Sequence, residues 1–452
     1  MKSRPKLLAS AGLIALLWLA APAAAQDAGP WTLPAALDYA QMHNPDLQTA
    51  EAQLVEGHEA EGEVFAHFLP NLTALGGYTY ISNVPEMEVN MEMQPLPIAP
   101  PIAIHKKFPL GAHDNTRLEV DFSQLLFASG QVYYSYRAVS DQLEAGEHRV
   151  DAIRLRVSQM TAEAFLGVLM TQSVAQAQRE ALATSQAHLT QVTHRYDAGA
   201  ATRFELLRAQ VDVANLEPQV TEADKNVETA RTGLRRAMGL GSDAPLHVTG
   251  DLETTPTPVD ENAALERAQQ TRPELTAYAV ARQAAEHQAL AYRGAMLPAV
   301  MLNASYSYQR PYYSLDQWES NWTVGVGIRI PIFDGLQNYH SMRRARAMAE
   351  TATHNQAQVQ ADIFTEVHTA VLALREADVR MQSTCANLER AKQMVAIAEK
   401  SYQAGAVTSL EVIDAQLAAT GAHVAYLKAL YDYRVARVRL AAATGDQAAI
   451  GG

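Results

Sequence analysis

Tyr196-Asp197-Ala198-Gly199-Ala200-Ala201-Thr202-Arg203-Phe204-Glu205 returns as Tyr402-Gln403-Ala404-Gly405-Ala406-Val407-Thr408-Ser409-Leu410-Glu411, 206 positions later (402 − 196). In each copy a Gly closes a long Pro-free stretch and suits the left-handed end of a helix. A Thr three residues on, with a Glu three beyond it, reads as the capping box that opens the next helix. The stretch is therefore the turn of a helical hairpin, and the chain makes it twice. Small residues on both sides of Gly199 and Gly405 keep the turn narrow.

Outward from the turns, Phe127, Ala209-Gln210, Leu234 and Gly239 return at the same spacing as Phe333, Ala415-Gln416, Leu440 and Gly445. Further upstream, Ala36-Leu37, Pro45-Asp46-Leu47, Leu69-Pro70 and Tyr78-Thr79-Tyr80 return as Ala264-Leu265, Pro273-Glu274-Leu275, Leu297-Pro298 and Tyr306-Ser307-Tyr308, at a spacing of 228 (264 − 36). The 22-residue difference (228 − 206) falls between Tyr80 and Phe127. The chain thus reads as a signal peptide over 1–25, a first repeat over 26–240, a linker over 241–260, a second repeat over 261–445 and a short tail over 446–452. The first repeat carries the longer loop, 83–115. A duplication of this size points to copies packed around an axis rather than to a catalytic cleft.

Lys2, Arg4 and Lys6, an apolar run from Leu7 to Ala20 and the cut site Ala23-Ala24-Ala25 make up the signal peptide. Without it, the chain has 33 basic and 49 acidic residues (36 − 3 against 49), a balance that argues against nucleic acid as a partner. The single Cys385 allows no internal disulfide and reads as a small core residue. Past the signal, no apolar run is long enough for a membrane-crossing helix.

The stretches before each turn are rich in good helix formers, with apolar residues at heptad steps: Val150, Ile153, Val157, Met160 and Ala164, then Ile363, Val367, Ala370, Leu374, Ala377 and Met381. A helix from about Gln131 to Asp197 would be roughly 100 Å long, so it needs equally long partners. Leu-Pro at 69–70 and 297–298 stops a helix, and the period then changes to two. Leu72, Ala74, Gly76 and Tyr78 alternate with Asn71, Thr73, Gly77 and Thr79. Leu118, Val120 and Phe122 oppose Glu119, Asp121 and Ser123. Leu302–Tyr308 and Asn321–Ile330 alternate likewise. One apolar face, one polar face and terminal aromatics read as strands of a membrane barrel, with a half-buried soluble sheet as the alternative. Four strands cannot close a barrel and lipid tolerates no open edge, so subunits must associate.

Two repeats, Leu-Pro before a strand, Pro331-Ile332-Phe333-Asp334-Gly335 after one, and Tyr-x-x-Gly-x-x-Thr before Glu411-Val412-Ile413-Asp414-Ala415-Gln416 together resemble the outer-membrane efflux proteins, the TolC-like channels of Gram-negative bacteria. The resemblance runs from about Trp31 to Gly445 and rests on the order of short motifs, found twice. It implies a mixed α and β membrane protein: a homotrimer whose 12-stranded barrel, four strands per chain, lies in outer-membrane lipid and continues into a long α-helical coiled-coil barrel in the periplasm. It implies a periplasmic adaptor and an inner-membrane pump as partners, a role as exit channel in tripartite efflux or type I secretion, and no enzyme activity or cofactor.

Carried over by position, the resemblance makes Glu411 and Asp414 the acidic ring of the periplasmic entrance and Tyr402 a tie of the closed state. It makes Gly199, Ala200, Thr202, Gly405, Ala406 and Thr408 the adaptor-docking tips. The family's Arg two residues after the second tip Gly is Val407 here, so the closed state must be held differently. Arg208 stands where the second repeat has Asp414, which allows a carboxylate and a base to pair near the tip.

The loop 83–115 holds six prolines with Met87, Met91, Met93, His105 and His113. It reads as an extended or mobile surface loop, with soft-metal binding as the sharper alternative. No His-Glu-x-x-His, P-loop or Gly-x-Ser-x-Gly motif occurs. A structural coiled-coil scaffold of the envelope is the competing function.

Overall fold

The computed structural model describes residues 30–93, 102–312 and 315–451. The signal peptide expected over 1–25 lies outside them. The chain divides into two compact units, each drawn from both repeats.

The first unit takes the chain up to Ala40, Thr161–Thr254 and Ser383–Tyr431. It contains most of helix α1 (Leu33–His43), the later part of α3 (Gln131–Asp197), α4 (Arg203–Met238), the end of α7 (Gln337–Gln403) and most of α8 (Ser409–Ala443). Helix α3 runs for 67 residues, the span the heptad pattern marks. Its core is built of small and branched residues, as close helix packing requires. Ala175 meets Ala223 and Val227, and Leu388 and Ala391 meet Ala422. Trp31 pairs with the linker by a short parallel bridge, its N–H donating to the His247 carbonyl at 2.6 Å. Pro218 sits inside α4, which continues through it.

The second unit takes Gln41–Met160, Thr255–Gln382 and Asp432–Gly452. Helix α2 (Pro45–Phe65) starts at an Asn44 cap whose side chain accepts from the Asp46 N–H at 2.9 Å. Its counterpart α6 (Pro273–Ala295) follows α5 (Glu261–Thr271) at the same X-Pro break. There Arg272 is tied to Glu274 and Glu366, and it donates to the carbonyls of Ala442 and Ala443 at the end of α8. Gly294 lets α6 pass the start of α3, because a Cβ there would lie 2.7 Å from the Gln131 nitrogen.

After the Leu-Pro breaks come β1 (Asn71–Tyr80) and, in the second repeat, β5 (Ala299–Arg310). With β4 (Asp114–Phe127) and β6 (Glu319–Arg329) they form one antiparallel sheet in the order β1-β4-β5-β6. The register puts Thr73, Asp121, Ser305 and Thr323 in one cross-strand row, and Ala74, Val120, Tyr306 and Trp322 in the next. Rows alternate faces, so the sheet is polar on one side and apolar on the other. The apolar side is uncovered within the chain: Trp322 is 72% exposed. Among the described residues, strands β1 and β6 each keep one unpaired edge.

The loop 83–115 departs from expectation. It is an antiparallel ribbon of β2 (Glu86–Met93) and β3 (Ile102–Pro109) rather than a structureless loop. The signal was there beneath the prolines: Met87, Val89, Met91 and Met93 alternate with Glu86, Glu88, Asn90 and Glu92. Pro85 precedes the paired stretch and Pro109 is its last residue, opposite Glu86, while Pro95, Pro97, Pro100 and Pro101 lie outside the described residues. The three methionines share one face with Phe108 and Ile104, and His105 belongs to the other, bonded to Asn90. His113 is bonded to the Ile81 carbonyl. The ribbon thus separates the thioethers from the imidazoles.

Candidate functional site

Both hairpin turns lie in the first unit, and their backbones match. Gly199 (φ 71°) and Gly405 (φ 75°) are left-handed. Ala200 N–H donates to the Arg195 carbonyl at 2.7 Å and Ala406 N–H to the Ser401 carbonyl at 2.8 Å. Gly199 and Gly405 close the inner bond of the same motif, to Tyr196 and Tyr402. A Cβ at either glycine would meet nothing within 4 Å, so backbone conformation, not space, selects glycine.

The caps that follow differ. Thr202 accepts from the Glu205 N–H at 3.2 Å while Glu205 accepts from the Thr202 N–H at 2.9 Å, a complete capping box. At the second turn Glu411 accepts from the Thr408 N–H at 3.0 Å, and the Thr408 hydroxyl also donates to that carboxylate. This hydroxyl bond, more than any other contact, holds the Glu411 carboxyl below its ordinary acidity range.

Glu411 and Asp414 are exposed on α8, while Val412, Ile413 and Ala415 between and beside them are buried. The two acids therefore share one exposed face. Asp414 lies 3.9 Å from Arg208 of α4, the pairing that the repeat comparison allowed. Tyr402 is only 4% exposed and packs with Val192, Ala209 and Val412. Burial is the main reason its hydroxyl is pushed above the usual phenol range. Val407 lies against this cluster, and the cation comes from elsewhere: the Arg195 guanidinium sits over the Tyr402 ring at 4.5 Å and donates to the Tyr402 carbonyl at 3.3 Å. His188 reaches Ser409, the first residue of α8, at 2.7 Å.

The structure thus brings Tyr402, Glu411 and Asp414 together around the second turn and adds three residues the sequence did not single out: His188, Arg195 and Ser409. His188 and Arg195 are one heptad apart on α3, a spacing that marks them as facing the same neighbour. Nothing local names that neighbour, which lies more than 200 residues further along the chain.

Comparison with known proteins agrees with this architecture. The model of the outer membrane efflux protein family matches residues 36–240 and 264–446. The chain is 22% identical over 338 residues to the outer membrane efflux protein BepC of Brucella suis, covering 73% of this chain and 72% of that one. It is 26% identical over 293 residues to the alkaline protease secretion protein AprF of Pseudomonas aeruginosa, covering 62% of this chain and 59% of that one. Among solved structures, the Campylobacter jejuni CmeC outer membrane channel superimposes with a TM-score of 0.73 at 18% identity, over 92% of this chain and 86% of that chain. VceC of Vibrio cholerae gives 0.71 at 20% identity, over 91% and 96%. With the family model matching most of both repeats, the chain belongs to the outer membrane efflux protein family, and the outer membrane is its place.

Proposed function

We propose that three copies of this chain form an exit conduit through the outer membrane, fed from the periplasm by an adaptor and an inner-membrane pump. The sheet carries the reading: two open edges, one polar face and one uncovered apolar face. Pairing β6 of one copy with β1 of the next removes every edge, points the apolar rows at lipid and lines a lumen with the polar rows. The ring of acids at Glu411 and Asp414 would then circle the entrance, attract cations and repel one another. The turns around Gly199, Ala200 and Thr202 and around Gly405, Ala406 and Thr408 would receive the adaptor. Relatives named for protease secretion, pyoverdine export and cobalt-zinc-cadmium resistance support a conduit rather than a particular cargo.

The test is native mass in detergent followed by planar-bilayer recording. Three copies per particle and a stable ion conductance are expected. A monomeric particle without conductance returns the chain to the scaffold reading.

A further inference from the structure

His188 is a buried titratable group that the conduit itself does not need. It lies on α3, eleven residues before Gly199 (199 − 188), and is 5% exposed. Its Nε2 stands 2.7 Å from the Oγ of Ser409, which is 1% exposed and opens α8. The Tyr402 ring packs beside the imidazole at 5.4 Å, and Arg195 covers the same ring. One side chain of the first hairpin therefore grips the first turn of the second. Glu411 is two residues past Ser409 and Asp414 five, so whatever moves Ser409 moves the acidic face.

We propose that His188 is a positioning residue for the entrance: as a neutral imidazole it fastens the start of α8, and on taking a proton it lets go. The proposal rests on the conduit reading above. A neutral ring has one bare nitrogen that can accept from the Ser409 hydroxyl; the charged ring carries N–H on both nitrogens and can meet that oxygen only as a donor, so the hydrogen of the 1% exposed Ser409 hydroxyl must turn away and find another acceptor. The added charge would also sit at the amino terminus of α8, where the helix dipole is already positive, in a site with little water.

The groups around the ring pull in both directions. Asp212 on α4 and Glu399 on α7 favour the proton. Asp212 is already engaged by the Ser185 hydroxyl and Glu399 by Gln416. Arg195, on α3 itself, stands across the Tyr402 ring and opposes it. Burial outweighs the two carboxylates and draws the imidazole below its ordinary value of 6.5. The fastened state then binds fewer protons than the released one. The clasp is at full strength above the ordinary imidazole range and weakens as the pH falls through and below it. Glu411, held on the acidic side of its own range, keeps its charge over that window.

The experiment is bilayer recording of the assembled protein, with the tip side taken from about pH 7.5 to about pH 5.5, the window in which an imidazole titrates. Wild-type open probability rises about fivefold, the scale of one buried hydrogen bond. His188→Gln offers Ser409 a neutral partner that cannot take the proton, so it stays near the wild-type pH 7.5 level throughout. Ser409→Ala is raised at both pH values and does not respond. A wild type that conducts without a pH response, or a His188→Gln channel that responds as the wild type does, overturns the latch alone. A wild type that never conducts at any pH overturns the conduit reading and the latch with it.

Discussion

The two hairpin turns share a backbone and differ in what their side chains do with it. At the first, Tyr196 is 38% exposed, Phe204 is 71% exposed and Leu207 lies open to solvent. At the second, the counterpart of Tyr196 is the buried Tyr402, and Ile413 at the place of Leu207 is buried too. The complete capping box belongs to the exposed turn, whereas the clasped turn has its Thr408 hydroxyl turned to the Glu411 carboxylate. Local chemistry, a glycine and a cap, was enough to repeat the turn. What each turn faces was set by long-range partners: His188 and Arg195 hold the second, and apolar side chains are left on offer at the first. In the proposed assembly both turns receive the adaptor; the second also works the entrance, and the first adds an apolar patch.

The two turns should differ most at the paired tyrosines. Tyr402→Ala empties a buried aromatic site and is expected to cost about 3 kcal/mol, whereas Tyr196→Ala stays within about 0.5 kcal/mol. Thermal melting of the detergent-solubilised protein, followed by circular dichroism, reads both. Equal losses would mean that the turns are equivalent after all. Next come the glycines. Valine at 199 or 405 forces a β-branched residue to positive φ at a cost of about 1–2 kcal/mol, and drug or substrate export is expected to be lost with the oligomer intact. Asparagine, which tolerates that conformation, should retain most of the export. Normal pumping by the valine variants would remove the turns from the docking surface.

The smallest effect on stability, and the most diagnostic for function, is expected from the carboxylates. Changing Glu411 and Asp414 together to alanine should lower cation selectivity and relieve block by multivalent cations, while Glu205→Ala in the other turn leaves both unchanged. Because the Glu411 carboxyl is held on the acidic side of its range, its charge and its cap persist above the ordinary carboxylate range and are lost only as the pH falls through the lowered value. Unchanged selectivity in the double variant would reduce Glu411 to a helix cap.

Much of the fold was legible because its signals are local. Heptad steps and the absence of proline marked α3 from end to end. The Leu-Pro pairs marked where helices give way to strands, and the period-two stretches marked β1, β4, β5 and β6. The turns were legible for the same reason, down to Gly199, Gly405 and their Thr caps. The β2–β3 ribbon was not, because six prolines in one segment outweighed an alternation that only the paired stretches carry. Nor was the clasp: His188 and Ser409 are 221 residues apart, and the arginine that reaches Tyr402 is Arg195 on α3, whereas the resemblance led one to seek an arginine at 407.

The unpaired margins of β1 and β6 have a meaning for the subunit's earlier life. A lone copy in transit to its membrane exposes two rows of free amide and carbonyl groups beside an apolar surface, and any extended segment it meets can add to them as a further strand. In the proposed assembly, finding its siblings is therefore a race against wrong partners. The pace of encounter, set by how many copies are made at once and by what escorts them, decides how much of the protein arrives in usable form.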